Sequence, residues 1–226
     1  MFNFILTKKS YLLIVTILFI IGCGGGNSQD ISNISRDTSN RFSSILKDSS
    51  EVKAFATINS ISNVNEFNNS ATNIQHEQQK LLDAINARRA TRVKCGDEGW
   101  FGPTHPLTWN RALYTSALEH SLDMAFSNHF SHDGSGTEYD ITGDGRPSKF
   151  NERIIRQYGG NYYSIGENLA GGQTSIQQVM DDFMASPGHC ANIMSSNYTE
   201  VGVAIVEYDQ SNYRIYWTQN FGSKRL

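Results

Sequence analysis

The apolar residues of this 226-residue chain are distributed unevenly, and their distribution restricts the part of it that can form a core. An uncharged apolar run covers residues 11–21, a polar tract covers residues 24–70, and helix-like apolar spacing begins near Thr72. In the polar tract 19 of 47 residues are Ser or Asn, so it buries too little apolar surface to offset the entropy cost of folding. We therefore expect a disordered tether over residues 24–70 and one folded domain over residues 72–226.

Residues 1–22 have the pattern of an export signal peptide, in which Lys8 and Lys9 precede the apolar run. The run has about half of the roughly 20 apolar residues that a spanning helix needs, which disfavours the alternative of a single-pass anchor. Residues 20–23, Ile-Ile-Gly-Cys, resemble a bacterial lipobox, where cleavage leaves the Cys as an acylated N-terminus. We expect a lipidated Cys23 to anchor the protein on a membrane at the cell envelope or cell surface, whereas a chain without lipid would be secreted.

Cys95 and Cys190 are the cysteines that remain once Cys23 is set aside. In a chain that has left the reducing cytosol, two cysteines are expected to form one disulfide bond. Closing a loop of this length lowers the conformational entropy of the unfolded chain and so stabilises the fold by up to about 4.7 kcal/mol. The alternative is a pair of free thiols.

The charge pattern excludes one class of partner. The formal net charge is −3, and the Lys and Arg residues are scattered along the chain rather than clustered. A protein that binds nucleic acid needs a basic patch that neutralises phosphates. We therefore expect no nucleic-acid partner, and nothing in the sequence indicates an oligomeric state.

Hydrophobic periodicity predicts an α+β fold. The β-rich runs Val201–Tyr208 and Tyr213–Phe221 are separated by four residues, which predicts an antiparallel hairpin, and the first run is apolar on both faces, as in a central strand. Helices and strands that do not alternate as βαβ units favour α+β packing. Four helices are expected, over residues 72–93, 110–128 with Asn110 as N-cap, 148–158, and 174–185 with Thr174 and Gln177 as a capping box and Pro187 after its end. Four aromatic residues are expected in the core: Trp109, Phe183, Trp217 and Phe221.

Polar residues concentrate in four short segments that also contain turn-forming residues. These are NHFSH at 128–132, GENLA at 166–170, SPGHCANI at 186–193 and YWTQNFG at 216–222. Loops on a rigid scaffold often carry binding and catalytic residues. Neutral imidazoles beside a carboxylate suit metal ligation or proton transfer near neutral pH.

These segments, in this order, resemble the CAP superfamily in its bacterial form, also called the SCP or pathogenesis-related-1 family. The resemblance covers about residues 75–221. Within this range it also includes LTWN at 107–110 and TEVGVA at 199–204. It implies an α-β-α sandwich with a central antiparallel sheet. It also implies a cleft with two His and acidic residues, which map onto His132, Glu167 and His189. Many eukaryotic members add a second Glu, at the position where this chain has Ser186.

Zinc is the candidate cofactor that this set of residues suggests. Two imidazoles and one carboxylate, from His132, His189 and Glu167, would leave one coordination position open for water or ligand. The alternative is structural, with the same three side chains holding their segments together by hydrogen bonds.

A calcium site is the weaker metal hypothesis. Asp140, Thr142, Asp144 and Gly145 have the oxygen spacing with which a calcium-binding loop begins. Such a loop ends on Glu at its twelfth position, and this chain has Asn151 there. A polar turn is therefore the preferred interpretation of this segment.

The resemblance implies a binding function before an enzymatic one. Sterols, fatty acids and other hydrophobic ligands recur among members of the family, so we expect a small hydrophobic or cell-surface ligand, with Asn168 and Ser186 as further binding residues. The alternatives are a protease or esterase whose catalytic residues are His132, Glu167 and His189, and an adhesion module with a non-catalytic cleft. No nucleophile can be assigned from the sequence, because a Ser near a His, as at Ser131 and Ser186, is common and Cys190 would be in a disulfide.

Overall fold

The structure is a computed structural model that describes residues 52–54 and 64–225, with side chains from Gln75 onward. The predicted signal peptide, Cys23 and most of the predicted tether lie outside these residues. Within them, no helix is both long enough and apolar enough to cross a membrane.

Five helices and seven strands form the described part of the chain. In order they are β1 (Val52–Ala54), α1 (Val64–Arg89), β2 (Val93–Lys94), β3 (Trp100–Phe101), β4 (Thr108–Trp109), α2 (Arg111–Ser127), α3 (Phe150–Tyr158), β5 (Tyr162–Gly171), α4 (Ile176–Ala185), α5 (Pro187–Met194), β6 (Glu200–Tyr208) and β7 (Ile215–Lys224). A short 3₁₀ turn, Gly96–Glu98, joins β2 to β3.

The main sheet has the strand order β1-β6-β7-β5, and each neighbouring pair in this order is antiparallel. The short strand β4 lies off this order and pairs with β6 in parallel. Strands β6 and β7 form the predicted hairpin, and β6 is a central strand as expected. Strands β2 and β3 form a separate two-stranded hairpin. The central antiparallel sheet of the predicted fold is therefore confirmed.

Helices cover both faces of this sheet, which confirms the α-β-α sandwich. On one face α1, α4 and α5 pack against Val201, Val203 and Ile205, which alternate along β6 as period-two geometry requires. On the other face α2 packs against β6 and β7, where Val206 and Tyr216 are buried. Helix α3 lies beside α2.

The predicted aromatic core is present. Phe183, Trp217 and Phe221 are buried among the residues between the sheet and the helices α1, α4 and α5. Trp109 is partly buried and packs against the same cluster. The predicted disulfide is also present: Cys95 and Cys190 have Cα atoms 5.4 Å apart and join the β2–β3 hairpin to α5.

The N-terminal boundary of regular structure lies earlier than the apolar pattern indicates. Helix α1 begins at Val64 and β1 pairs with the edge of β6, although both lie in the stretch for which the sequence predicts a tether. Strand β1 gains order from main-chain pairing with a neighbouring strand, which hydrophobic periodicity does not reveal. Helix α1 ends at Arg89, and Val93, expected in the helix, lies in β2.

Two local predictions around α4 and α5 are wrong. Ser175, not Thr174, is the N-cap of α4, and the Gln178 side chain rather than that of Gln177 accepts from the Thr174 N–H. Pro187, expected only as a helix stop, is the first residue of α5. Proline fits there because the first helical residue has no N–H partner within the helix.

The GENLA segment, expected in a loop, is part of strand β5 and is buried. A polar strand can be buried when its side chains find hydrogen-bond partners. Here Asn168 donates to Gln219 on the neighbouring strand β7. The polar residues at 216–222 lie in β7, where the predicted hairpin has its second strand.

The loop between α2 and α3 is organised by Asp140, which is 2% exposed. Its carboxylate accepts from the backbone N–H groups of Gly136, Gly143 and Ser148. The residues that resemble the start of a calcium loop thus form a turn in which this carboxylate binds main-chain donors.

Candidate functional site

The predicted cleft residues converge on one solvent-reachable cleft with a volume of about 470 Å³. It lies where strand β5, the loop before α3, the turn after β2 and the start of α5 meet. The residues that line it are Glu98, His132, Glu167, Ser186, Gly188, His189, Ala191 and Asn192.

Glu167 lies at the base of this cleft in an ion pair with Arg153 of α3. Arg153 Nη2 is 3.1 Å from both carboxylate oxygens, and each of the two side chains is only 1% exposed. The same guanidinium donates to the His132 carbonyl at 2.8 Å and to Ser148. Arg153 therefore joins β5, α3 and the loop that carries His132.

The pKa of Glu167 is lowered despite its burial. Burial acts to raise this pKa, but the charges and hydrogen bonds around the carboxylate outweigh that effect. His120 lies nearby but is itself neutral at pH 7, because burial lowers its pKa to about 4. With His120 uncharged, the Arg153 guanidinium and the hydrogen bond from His132 are what keep the pKa of Glu167 low.

His132 contacts Glu167 from the solvent side. Its Nδ1 lies 3.0 Å from Glu167 Oε1, and its ring is 54% exposed. A carboxylate at this distance favours the proton on Nδ1, which leaves Nε2 as the acceptor of the neutral ring. The structure thus brings two of the three predicted residues into direct contact.

His189, in the first turn of α5, contributes the second imidazole. Its ring packs edge-on against Phe183, with the ring centroids 5.2 Å apart. Burial lowers the pKa of His189, and the neighbouring His132 lowers it further. At neutral pH this ring is therefore uncharged and offers one donor and one acceptor.

Asn168 and Ser186, the other two predicted binding residues, have different positions. Asn168 is fully buried, donates to the His189 carbonyl and to Gln219, and accepts from Asn192. It positions α5 on β5 rather than facing the cleft. Ser186 lines the cleft, and although it is the N-cap of α5 its side chain makes no capping hydrogen bond, so the hydroxyl is available to a ligand.

A zinc ion held jointly by His132, His189 and Glu167 does not fit this arrangement. Both oxygens of Glu167 face Arg153, and His132 directs Nδ1 at the same carboxylate. Among the residues that the structure describes, no three His, Cys, Asp or Glu side chains are grouped as metal ligands. The arrangement instead resembles the structural alternative, in which hydrogen bonds and an ion pair organise the cleft.

Sequence reasoning missed Glu98 and Arg153, and it singled out the segment that contains Asn192 without giving that residue a role. A signal for Glu98 existed, since it lies three residues after Cys95, and the predicted bond to Cys190 brings it towards the adjacent His189. No comparable signal pointed to Arg153, because its role depends on how α3 packs beside β5.

Comparison with known proteins identifies the family and agrees with the fold. The family model for CAP, the cysteine-rich secretory protein family, matches residues 82–221. This chain belongs to the CAP family. Most of the described sandwich and the cleft residues His132, Glu167 and His189 lie within the matched residues.

Two Bacillus subtilis (strain 168) proteins are similar to this CAP domain. The uncharacterized protein YkwD is 29% identical over 149 residues, which are 65% of this chain and 47% of YkwD. The uncharacterized membrane protein YlbC is 27% identical over 144 residues, which are 64% of this chain and 34% of YlbC. The chain thus spans about half, or less, of the length of these relatives.

A solved structure shares the fold. It is the crystal structure of an extracellular protein containing an SCP domain from Bacillus anthracis str. Ames, with 24% sequence identity and a TM-score of 0.50. The match covers 69% of this chain and 43% of that one.

Proposed function

We propose that this chain is an exported protein whose CAP domain binds a small cell-surface ligand through the cleft around His132, Glu167 and His189. The observation that carries the proposal is the convergence of two imidazoles and the Ser186 hydroxyl in one cleft that solvent reaches. The buried Arg153–Glu167 pair holds the base of the cleft rigid, so a ligand would meet a preformed site.

The lining of the cleft favours a ligand with polar groups. Seven of the eight lining residues carry polar side chains or are glycine, and Ala191 is the one that carries an apolar side chain. A sterol or fatty-acid tail would find few apolar contacts there, whereas hydroxyl, amide or amine groups would find donors and acceptors. If a hydrophobic ligand binds, we expect its polar head group to occupy this cleft.

Export is supported by the disulfide and by the N-terminal sequence. The Cys95–Cys190 bond is stable in an oxidising compartment, and residues 1–22 have the pattern of an export signal. The Bacillus anthracis structure with the same fold is of an extracellular protein. Lipid anchoring at Cys23 is part of this proposal and is tested separately below.

Ligand titration followed by NMR of the histidine rings tests the binding function. The probes are N-acetylglucosamine oligomers, short peptides, glycerol phosphate and palmitate. We expect one of them to shift the ring signals of His132 and His189, and we expect its affinity to fall at least about tenfold in His132→Ala and His189→Ala, since removing a positioned hydrogen-bonding partner costs about 1.4 kcal/mol or more.

His129 provides the matched control, because its exposed ring lies in the same loop as His132 but does not line the cleft. His129→Ala should bind the probe as the unchanged protein does. Unchanged affinity in both cleft variants, or no shift with any probe, would refute the proposed site.

A hydrolase is the second candidate, and the hydrogen bond between His132 and Glu167 favours it. With Nδ1 held by the carboxylate, Nε2 is the nitrogen of His132 that is left to accept a proton, and the Ser186 hydroxyl lines the same cleft. Turnover of peptide and ester libraries tests this. Activity that is lost in Ser186→Ala and in Glu167→Gln but kept in Ser131→Ala would establish it, and activity that survives Glu167→Gln would exclude that carboxylate.

A further inference from the structure

Glu98 is a cleft residue that comes from a separate element, the turn between β2 and β3. It lines the same cleft as the two histidines, and its side chain is exposed. Within the described residues, its carboxylate makes no hydrogen bond and no ion pair. Its backbone N–H donates to the Cys95 carbonyl, so the side chain projects from a closed turn.

The turn that carries Glu98 is held tightly against α5. The Cys95–Cys190 disulfide links the two elements, and Cys190 is adjacent to His189. Gly96 packs so closely on Pro187 that a Cβ at Gly96 would lie 2.7 Å from the proline ring. The backbone at Glu98 is therefore fixed relative to the histidine side of the cleft, unlike that of an acidic residue on a loose loop.

Glu98 also differs from the other charged groups of the cleft in having no counter-charge. Arg153 offsets the charge of Glu167, and burial favours the neutral form of the His189 ring. Glu98 is thus the acidic residue of this cleft that no described cation pairs with. A solvent-reachable carboxylate in a concave site attracts cations and hydrogen-bond donors.

We infer that Glu98 determines ligand specificity in this cleft by binding an ammonium group, so that the natural ligand is a small amine-bearing molecule. This inference rests on the proposed binding function and adds the chemical class of the ligand. The ammonium would lie against Glu98, and the neutral polar groups of the ligand would face Ser186 and the histidines.

Two peptides that differ only in the ammonium group test the inference. The probes are tri-alanine amide and N-acetyl-tri-alanine amide, titrated calorimetrically into the full chain with its disulfide intact. We expect the free amine to bind about threefold to fivefold more tightly, as suits one ion pair at a partly exposed carboxylate. The ratio should fall towards one in Glu98→Gln and in about 0.5 M NaCl, because salt screens such a pair.

Asp97 provides the matched control, since it is an exposed acid in the same turn that does not line the cleft. Asp97→Asn removes the same net charge and should keep the preference for the free amine. Equal affinity for both peptides, a preference that persists in Glu98→Gln, or the absence of binding by both peptides would overturn the inference.

The histidine variants separate this inference from the proposed function. If His132→Ala and His189→Ala weaken binding of both peptides while the unchanged protein shows no preference for the amine, the cleft is a binding site and only the role of Glu98 is wrong. If the peptides bind equally well to the histidine variants, the proposed site itself is wrong.

Discussion

His120 lies in α2 behind the cleft, and its buried ring holds the loop that carries the exposed His132. Its ring is fully buried, and Nε2 lies 2.7 Å from the carbonyl oxygen of Ser131, the residue before His132. A neutral ring with the proton on Nε2 donates to this carbonyl. Nδ1 is buried without a partner among the described residues. The position of the cleft loop therefore depends on an uncharged His120.

This neutral state predicts a loss of stability in acid. The pKa of His120 is about 4 in the folded protein, mainly because of burial, against 6.5 in the unfolded chain. Between these pH values the unfolded state binds a proton that the folded state does not. The contribution of His120 to the free energy of unfolding is therefore fully present above pH 6.5 and is lost as the pH falls towards 4. We expect this residue to account for about 3 kcal/mol of that loss.

Urea unfolding of the protein and of His120→Gln between pH 7 and pH 4 measures this contribution. Glutamine retains an N–H for the Ser131 carbonyl but does not titrate. The free energy of unfolding of His120→Gln should therefore fall less between pH 7 and pH 4, by the amount assigned to His120. Glu119 and Asp123 have pKa values raised by burial and act in the opposite direction, but they are present in both proteins and cancel in the difference. His129→Gln, at an exposed position, should retain the original slope. An unchanged slope in His120→Gln would contradict the prediction.

At the scale of elements, the close contact of α2 with β6 depends on Gly202. A Cβ at this position would lie 2.0 Å from the backbone nitrogen of Tyr114 and 2.5 Å from the carbonyl carbon of Leu113. Both atoms belong to the main chain of the helix, so no rotamer change can relieve the overlap. Any side chain at Gly202 would push α2 away from the sheet, together with α3, which packs on it.

Gly202→Ala should therefore destabilise the fold by about 3 kcal/mol, the upper range for overpacking a core. The free energy of unfolding in urea measures the effect. Gly160→Ala is the control, because a Cβ there meets no atom within 4 Å and Gly160 does not have a positive φ. It should change stability by less than about 0.5 kcal/mol. Similar values for the two variants would show that the helix can move at little cost.

At the scale of the whole molecule, the proposed lipid anchor determines where the domain acts. A single acyl chain binds a membrane only weakly, and stable anchoring needs more than one, as on an acylated N-terminal cysteine. The polar stretch after Cys23 would then separate the CAP domain from the membrane surface. The Cys95–Cys190 bond lies within the domain and plays no part in this attachment.

Cys23→Ser should move the protein from the membrane fraction to the soluble fraction when it is expressed in bacteria. Cell fractionation together with mass spectrometry of the N-terminus would detect both the release and the missing acyl groups. The Cys95→Ser/Cys190→Ser double variant should remain with the membrane, because it retains Cys23. A Cys23→Ser protein that stays in the membrane would favour the alternative in which the apolar run is a membrane anchor.

The sequence by itself determined those features that arise from local patterns. Apolar spacing located the helices α2, α3 and α4 and the β6–β7 hairpin to within a few residues, and cysteine counting predicted the disulfide. The motifs of the family pointed to His132, Glu167 and His189, which the structure brings to one cleft. The helix and hairpin predictions succeeded because apolar periodicity follows directly from helix and strand geometry. The cleft residues, in contrast, came from the family resemblance.

Tertiary structure alone decided which polar residues are buried and what they contact. Asn168 belongs to a segment that looks like a loop, yet it lies in a buried strand because α5 and β7 supply its hydrogen-bond partners. Arg153 became the partner of Glu167, and Glu98 entered the cleft, through the packing of distant segments. The burial of a polar group is favourable only when a partner is present, and for these side chains the partner comes from a part of the chain that local sequence cannot identify.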